Sequence, residues 1–133
     1  MPAPLVIDAS AAVHLATAAG PIPGLDDYRL FAPGLLWSES LSAIRKAGWR
    51  GAIPDDASGV ALERLETLPI ERVDGPDHRA RAFALARELG WAKTYDAEYV
   101  ALARHLGARL LSTDQRLRRG VATVIETIGP SDL

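Results

Sequence analysis

Four acidic residues stand at places from which a sheet or helix would present them to one cleft. Asp8 directly follows an apolar run at residues 5–7, and Asp114 comes just after a second apolar run. Asp96 stands at the start of a helical pattern, and Glu39 lies on a predicted helix face. Carboxylates within a few Å of one another repel, and some of their pKa values rise, unless a cation lies among them. We call these four residues the acidic quartet and expect them to share a cleft.

Each member of the acidic quartet also has a simpler explanation. Asp8, Asp96 and Asp114 occupy positions typical of N-caps or first-turn acids, which stabilise helices without doing chemistry. Glu39 taken alone is typical of a solvated helix residue. The spacing therefore leaves structural and chemical roles open for every one of the four.

Short apolar strands alternate with helical patterns along the chain and must position these acids. We predict strands at residues 5–7, 30–32, 70–73 and 110–112 and a last one beginning at 124–125. The predicted helices cover residues 10–19, 33–48, 54–68, 76–90, 94–106 and 115–119. On the fourth of these we expect a buried side containing Ala80, Phe83, Ala84 and Ala86.

This alternation predicts an α/β fold with three layers, α/β/α, around a mostly parallel central sheet. The length of 133 residues predicts one domain, spanning residues 1–133. In open parallel sheets ligands bind beyond the carboxyl ends of the strands. Asp8 and Asp114 are predicted to lie at that edge.

Composition excludes several classes of protein. A hydrophobic content of 48% argues against disorder, and the absence of cysteine excludes disulfides, thiol nucleophiles and Cys-ligated zinc. The first residues do not form a secretion signal, and no apolar run is long enough for a membrane span. We therefore expect a cytoplasmic protein with no membrane contact. The net charge of −2 gives no bulk signal for nucleic acid, although 13 of the 15 basic residues are Arg.

Four short strings occur in a fixed order along most of the chain. They are VIDAS at residues 6–10, a proline and a glutamate six residues apart at 33–39, YDA at 95–97 and STD at 112–114. This ordered set resembles the PIN-domain family and, within it, the VapC ribonuclease toxins of bacterial toxin–antitoxin pairs. The resemblance covers about residues 6–125, while residues 48–77 carry no diagnostic motif.

The resemblance implies that the acidic quartet binds Mg²⁺ or Mn²⁺ and hydrolyses RNA, leaving a 3′-hydroxyl and a 5′-phosphate. Both cations take carboxylate oxygens while retaining water, which can be activated for attack on phosphorus. Ser10 and Ser112 match hydroxyl positions that support the site, with Ser112 standing where threonine is common. Glu98 is expected at the surface, pointing away from Asp96.

Other residues carry weaker expectations. Lys93, Arg116, Arg118 and Arg119 flank the acids and could hold RNA phosphates, or could simply be solvated. The three histidines, His14, His78 and His105, show no ligand spacing and are expected to be structural or at the surface. Core packing is the default for Trp37, Trp49 and Trp91, whereas an exposed one would mark an interface or a stacking platform.

The resemblance further implies three partners: an RNA substrate, a VapB-type antitoxin and a second copy of the chain. The C-terminal segment of such an antitoxin would block the acidic cleft, often with a basic side chain. We expect Trp37 and the Leu35-Leu36 region to receive its apolar face.

Four alternatives stay open on the sequence. A haloacid-dehalogenase-type phosphatase needs an Asp where Ser10 stands, and a receiver domain needs paired acids near the first strand and a late Lys. A PIN fold that binds RNA or protein without cleaving is disfavoured by the intact acidic quartet. A PIN nuclease of RNA processing, without a toxin role, is disfavoured only slightly.

Overall fold

A five-stranded sheet, parallel throughout, forms the middle of the molecule, and the computed structural model describes residues 2–133. The strands are β1 (Ala3–Ile7), β2 (Tyr28–Pro33), β3 (Ile70–Val73), β4 (Arg109–Leu111) and β5 (Thr127–Ile128). Their order across the sheet is β3-β2-β1-β4-β5. In β1, residues 5–7 are completely buried between β2 and β4, as expected for an apolar run with a neighbour on each side.

Six helices cover the sheet. They are α1 (Ala9–Thr17), α2 (Leu35–Trp49), α3 (Asp55–Thr67), α4 (Pro76–Leu89), α5 (Tyr95–Leu106) and α6 (Gln115–Gly120), with short 3-10 turns at Leu25–Asp27 and Pro130–Asp132. Helices α1, α2 and α3 pack against one another, while α5 packs on β1, β2 and β4 and pairs with α4. With right-handed crossovers this strand order places the two groups on opposite faces. The predicted three-layer α/β/α fold is confirmed.

The strand order fixes where a cleft can form. From β1 the chain moves outward on one side to β2 and β3, then returns across the sheet to β4 on the other side. A crevice opens at this reversal, beyond the carboxyl ends of β1 and β4. Asp8 follows β1 and Asp114 follows β4 by a few residues, so the topology sets them on either side of the crevice.

Two details of the prediction are wrong. The last strand begins at Thr127, because Val124 and Ile125 are still in a turn after α6 and both donate their N–H to the Val121 carbonyl. In α4 the buried residues are His78, Ala82, Leu85 and Ala86, so only Ala86 was placed correctly.

The α4 error lies in the rotation of the helix about its axis, because Ala80, Phe83 and Ala84 also recur at helical spacing. The buried residues of α4 recur at helical spacing, and Phe83 falls outside that stripe with 59% of its surface exposed. None of the helices in residues 2–133 has the length and apolar character that a membrane crossing requires.

Candidate functional site

Asp8 joins the end of β1 to the start of α1. It is 5% exposed and is the N-cap of α1, where its Oδ1 accepts the N–H of Ala11 at 2.9 Å and the Ser10 hydroxyl at 2.6 Å. Neither of these bonds uses Oδ2. The capping explanation for Asp8 is confirmed. The cap uses only Oδ1 of its carboxylate.

Asp114 has the corresponding place after β4. It is the N-cap of α6, and its Oδ1 accepts the N–H of Leu117 at 3.1 Å. Its own N–H donates to the Ser112 hydroxyl at 3.0 Å. Asp114 is exposed, in contrast to Asp8.

Two serine hydroxyls connect these two acids across the crevice. The Oγ atoms of Ser10 and Ser112 lie 3.4 Å apart, and Ser10 Oγ also accepts the N–H of Thr113 at 3.0 Å. Since Ser10 donates to Asp8 and Ser112 accepts from Asp114, the pair links the ends of β1 and β4. This geometry agrees with a supporting role for both serines, which stays a prediction.

Glu39 enters the site from α2. It is half-buried in the second turn of that helix, and its Oε1 accepts the hydroxyl of Tyr99 at 2.6 Å. Tyr99 is 2% exposed on α5. Sequence reasoning placed Tyr99 on the helix and missed its contact with Glu39. The available signal was a buried tyrosine, whose hydroxyl needs a partner.

Asp96 lies in the first turn of α5, but it is not the cap of that helix. Thr94 occupies the N-cap position, so the capping explanation for Asp96 is wrong and the first-turn explanation holds. Asp96 is exposed at the carboxyl edge of the sheet, where α5 begins. A first-turn acid is favoured there by the positive end of the helix dipole.

Desolvation and mutual repulsion raise the pKa of three members of the acidic quartet, including Asp96, whose side chain is exposed but whose carboxyl group is partly desolvated. For Asp8, Glu39 and Asp96 the largest cause is desolvation, which disfavours the charged carboxylate. Like charges raise these pKa values further: Asp114 acts on Asp8 and Asp96, and Asp8 acts on Glu39 and Asp96. Hydrogen bonds lower these pKa values: Ser10, Ser112 and the N–H of Ala11 act on Asp8, and Tyr99 acts on Glu39. The four carboxylates therefore share one electrostatic field.

The chemistry of these donors suits a hard divalent cation. Four carboxylates are available, and the hydrogen bonds at Asp8, Glu39 and Asp114 each occupy a single oxygen. However, among residues 2–133 no three Asp, Glu or His side chains converge closely enough to hold one ion. Binding would therefore need the exposed side chains of Asp96 and Asp114 to rotate toward Asp8 and Glu39. The ligand assignment stays a prediction.

Glu98 is not the surface residue that the sequence indicated. Its Oε1 lies 3.1 Å from Nε2 of His78 on α4, and the two side chains are 22% and 1% exposed. Helix α5 is buried on most sides, so an acid two positions from Asp96 still meets a neighbouring helix. The other histidines, His14 and His105, are exposed, in agreement with the prediction.

The four basic candidates differ in their surroundings. The guanidinium of Arg116 is close enough to Asp96 to lower its pKa. Arg118 instead donates to the Thr127 hydroxyl at 3.2 Å and lies 3.8 Å from the carboxylate of Asp132. Lys93 and Arg119 are exposed. Among the four, Arg116 is the one whose charge lowers the pKa of a member of the acidic quartet.

The tryptophans also differ from one another. Trp37 is half-buried, with the guanidinium of Arg72 5.6 Å from its ring centroid, and Trp91 is half-buried as well. Trp49 is 75% exposed at the end of α2, so core packing is the wrong default there.

Comparison with known proteins places the chain in a defined group. The PIN-domain family model matches residues 5–121. Ribonuclease VapC12 of Mycobacterium tuberculosis is 36% identical over 117 residues, which are 85% of this chain and 88% of that protein.

Solved structures show the same fold. PAE2754 from Pyrobaculum aerophilum superposes with a TM-score of 0.73 at 23% identity, over 99% of this chain and 94% of that one. VapBC-1 from nontypeable Haemophilus influenzae gives a TM-score of 0.61 at 15% identity, over 96% and 98%.

Replacing Glu39 by Gln should stabilise the metal-free protein at neutral pH. The raised native pKa means that the folded chain holds this proton more tightly than the unfolded chain does, so ionisation lowers the free energy of unfolding. Protonation of Glu39 stabilises the fold fully when the pH is below 4.5, the ordinary pKa of a glutamate. This stabilisation is lost as the pH rises through the native pKa. We expect Glu39→Gln in EDTA to melt about 1–3 °C above wild type at pH 7, with the difference vanishing in acid.

Thermal unfolding followed by circular dichroism between pH 4 and pH 8 measures this effect. Glu63→Gln, at an exposed position on α3, is the control and should show no such pH-dependent gain. A wild-type protein more stable than Glu39→Gln at pH 7 would show that the carboxylate of Glu39 is not under repulsion.

Proposed function

The chain belongs to the PIN-domain family, and we propose that it is a metal-dependent endoribonuclease acting as the toxin of a VapBC-type pair. Family membership confirms the resemblance drawn from the sequence. The observation that carries the proposal is the common electrostatic field of the acidic quartet at the carboxyl edge of the sheet. A relative named as a ribonuclease, matched over most of both chains, supports the choice of RNA. In this proposal residues 1–133 act as one nuclease domain.

The acidic quartet would hold Mg²⁺ or Mn²⁺ with two kinds of ligand. Asp8 and Glu39 are held by hydrogen bonds to Ser10, Ala11 and Tyr99, so each presents its carboxylate in a fixed position. Asp96 and Asp114 are exposed and can adjust their side chains. When bound, the cation would lower the pKa of a water and offset charge on the phosphate. The carboxylates orient the reacting groups, and neither exposed histidine is needed.

Exposed cations beside the acids would position the RNA backbone. The charge of Arg116 lowers the pKa of Asp96, and Lys93 and Arg119 lie exposed on the neighbouring segments. Each can hold a phosphate by charge without reading sequence. Arg118 is the weakest of the four candidates because Thr127 and Asp132 already engage it.

An antitoxin of the VapB type and a second copy of the chain complete the proposed assembly. The structure of VapBC-1 from nontypeable Haemophilus influenzae, which shares the fold of this chain, supports the first of these partners. A cation of the antitoxin inserted among the acidic quartet would offset the repulsion there. Leu36 is completely buried and cannot contact a partner, so it is excluded from the predicted antitoxin contact. The half-buried Trp37 and Leu35 would make the apolar contact with the antitoxin.

Purified protein should cleave RNA in Mg²⁺ or Mn²⁺ and stop in EDTA. Asp8→Asn is the sharpest variant, because an Asn side-chain oxygen can still cap α1 while one anionic ligand is lost. We expect its rate to fall by about 100-fold or more, since a bound cation contributes several kcal/mol. In EDTA its melting temperature should not fall, because the variant keeps the cap and loses a charge that desolvation and Asp114 disfavour.

Cleavage is measured on total RNA and on short labelled oligonucleotides. Asp77→Asn, in the exposed first turn of α4, is the matched control and should keep wild-type activity. Undiminished cleavage in EDTA, after contaminating nucleases are excluded, refutes metal dependence. RNA or protein binding without any cleavage would instead favour a non-catalytic PIN module.

Expression of the chain alone should arrest growth, and its cognate antitoxin should relieve the arrest. Replacing the inserted cation of the antitoxin by Ala should cost about 2–5 kcal/mol of binding, because the acidic quartet would be left unpaired. The replacements Trp49→Phe and Trp91→Phe leave Trp37 as the only tryptophan. Acrylamide should quench the fluorescence of Trp37 less once the antitoxin is bound.

The matched control retains only Trp49, which is 75% exposed at the far end of α2 and should stay accessible. Co-expression with the neighbouring gene product, co-purification and growth assays complete the test. Normal growth together with a neighbour that neither binds nor inhibits would refute the toxin role and favour an RNA-processing nuclease.

A further inference from the structure

Tyr99 brings a hydroxyl to the acidic site from inside the core. Its side chain is 2% exposed on α5, whose buried residues are otherwise Ala, Val and Leu. The hydroxyl donates to Oε1 of Glu39 across 2.6 Å, a short bond of the kind expected when the acceptor is ionised. Sixty positions separate the two residues, which belong to helices of different layers.

Without this bond Glu39 would have no fixed orientation. Its side chain has three rotatable bonds, it is half-buried, and the charges of Asp96 and Asp8 repel it. A carboxylate in that situation lowers its energy by turning toward water. The ring of Tyr99 is immobilised by packing, so its hydroxyl can hold Oε1 of Glu39 while leaving Oε2 unused.

We propose that Tyr99 is a positioning residue that orients Glu39 so that its second oxygen faces Asp8, Asp96 and Asp114 as a cation ligand. This inference rests on the proposed metal-dependent function. It assigns to Glu39 the kind of support that the Ser10 hydroxyl gives to the carboxylate of Asp8. Outer hydrogen bonds of this kind set ligand orientation in metal sites, and losing one typically weakens metal binding by about 10–100-fold.

Removal of the Tyr99 hydroxyl alone tests the proposal. Tyr99→Phe keeps the buried ring and should weaken Mn²⁺ binding by about tenfold, measured by electron paramagnetic resonance of free Mn²⁺ without any substrate. Tyr95→Phe is the matched control, since Tyr95 is 55% exposed on the same helix and should bind Mn²⁺ as wild type does. In a Glu39→Gln background, Tyr99→Phe should cause no further loss, because its effect passes through the Glu39 carboxylate.

A second measurement leaves the sequence unchanged and so does not depend on the variant folding. With tyrosine labelled at ¹³Cζ, the signal of Tyr99 should shift on addition of Mg²⁺, while those of Tyr28 and Tyr95 stay in place. A shift of Tyr99 alone supports the proposal, and an unchanged Tyr99 signal with Mg²⁺ bound overturns it.

The possible failures are distinguishable. If wild type binds neither Mg²⁺ nor Mn²⁺, the proposed metal centre fails and this inference fails with it. If wild type binds Mn²⁺ and Tyr99→Phe binds it equally well, only the positioning role is overturned. A lower melting temperature without a change in Mn²⁺ affinity would likewise make Tyr99 merely structural.

Discussion

Repulsion among the carboxylates of the acidic quartet is the constraint on which the rest of the site depends. Desolvation and like charge both raise the pKa of Asp8, Glu39 and Asp96, so the fold must hold these groups together at a cost. Packing of the layers supplies the free energy for this, with residues 5–7 of β1 completely buried at the centre of the sheet. A site that is unfavourable while empty of positive charge is suited to bind a cation, whether from solution or from a partner protein.

The fold resolves this conflict by using carboxylate oxygens for two purposes. Asp8 and Asp114 each give one oxygen to the start of a helix, and Glu39 gives one to Tyr99. Capping and chemistry, which compete as explanations when only the sequence is considered, are thus compatible in one side chain. The structural oxygen fixes the direction of the carboxylate, and the other oxygen remains for a ligand. Asp96, with neither cap nor buried partner, is the adjustable member.

The sequence could predict those features that depend on neighbouring residues. Asp8 follows a β-branched apolar run, so both the strand and the cap are encoded within a few positions. Features that depend on distant residues were missed. The partner of Tyr99 lies 60 positions away, and Glu98 contacts the buried His78 on another helix, 20 positions away. The exposure of Phe83 depends on the rotation of α4 against α5, which no local pattern determines.

The most direct measurement is a crystal structure of the protein grown with Mn²⁺, with anomalous diffraction recorded to locate the metal. The account predicts an anomalous peak within coordinating distance of Asp8 and Glu39, with Asp96 or Asp114 rotated toward it. It also predicts that the Tyr99 hydroxyl still donates to Glu39. Saturating Mn²⁺ with no peak at this crevice, or with a peak only at another site, would contradict the account.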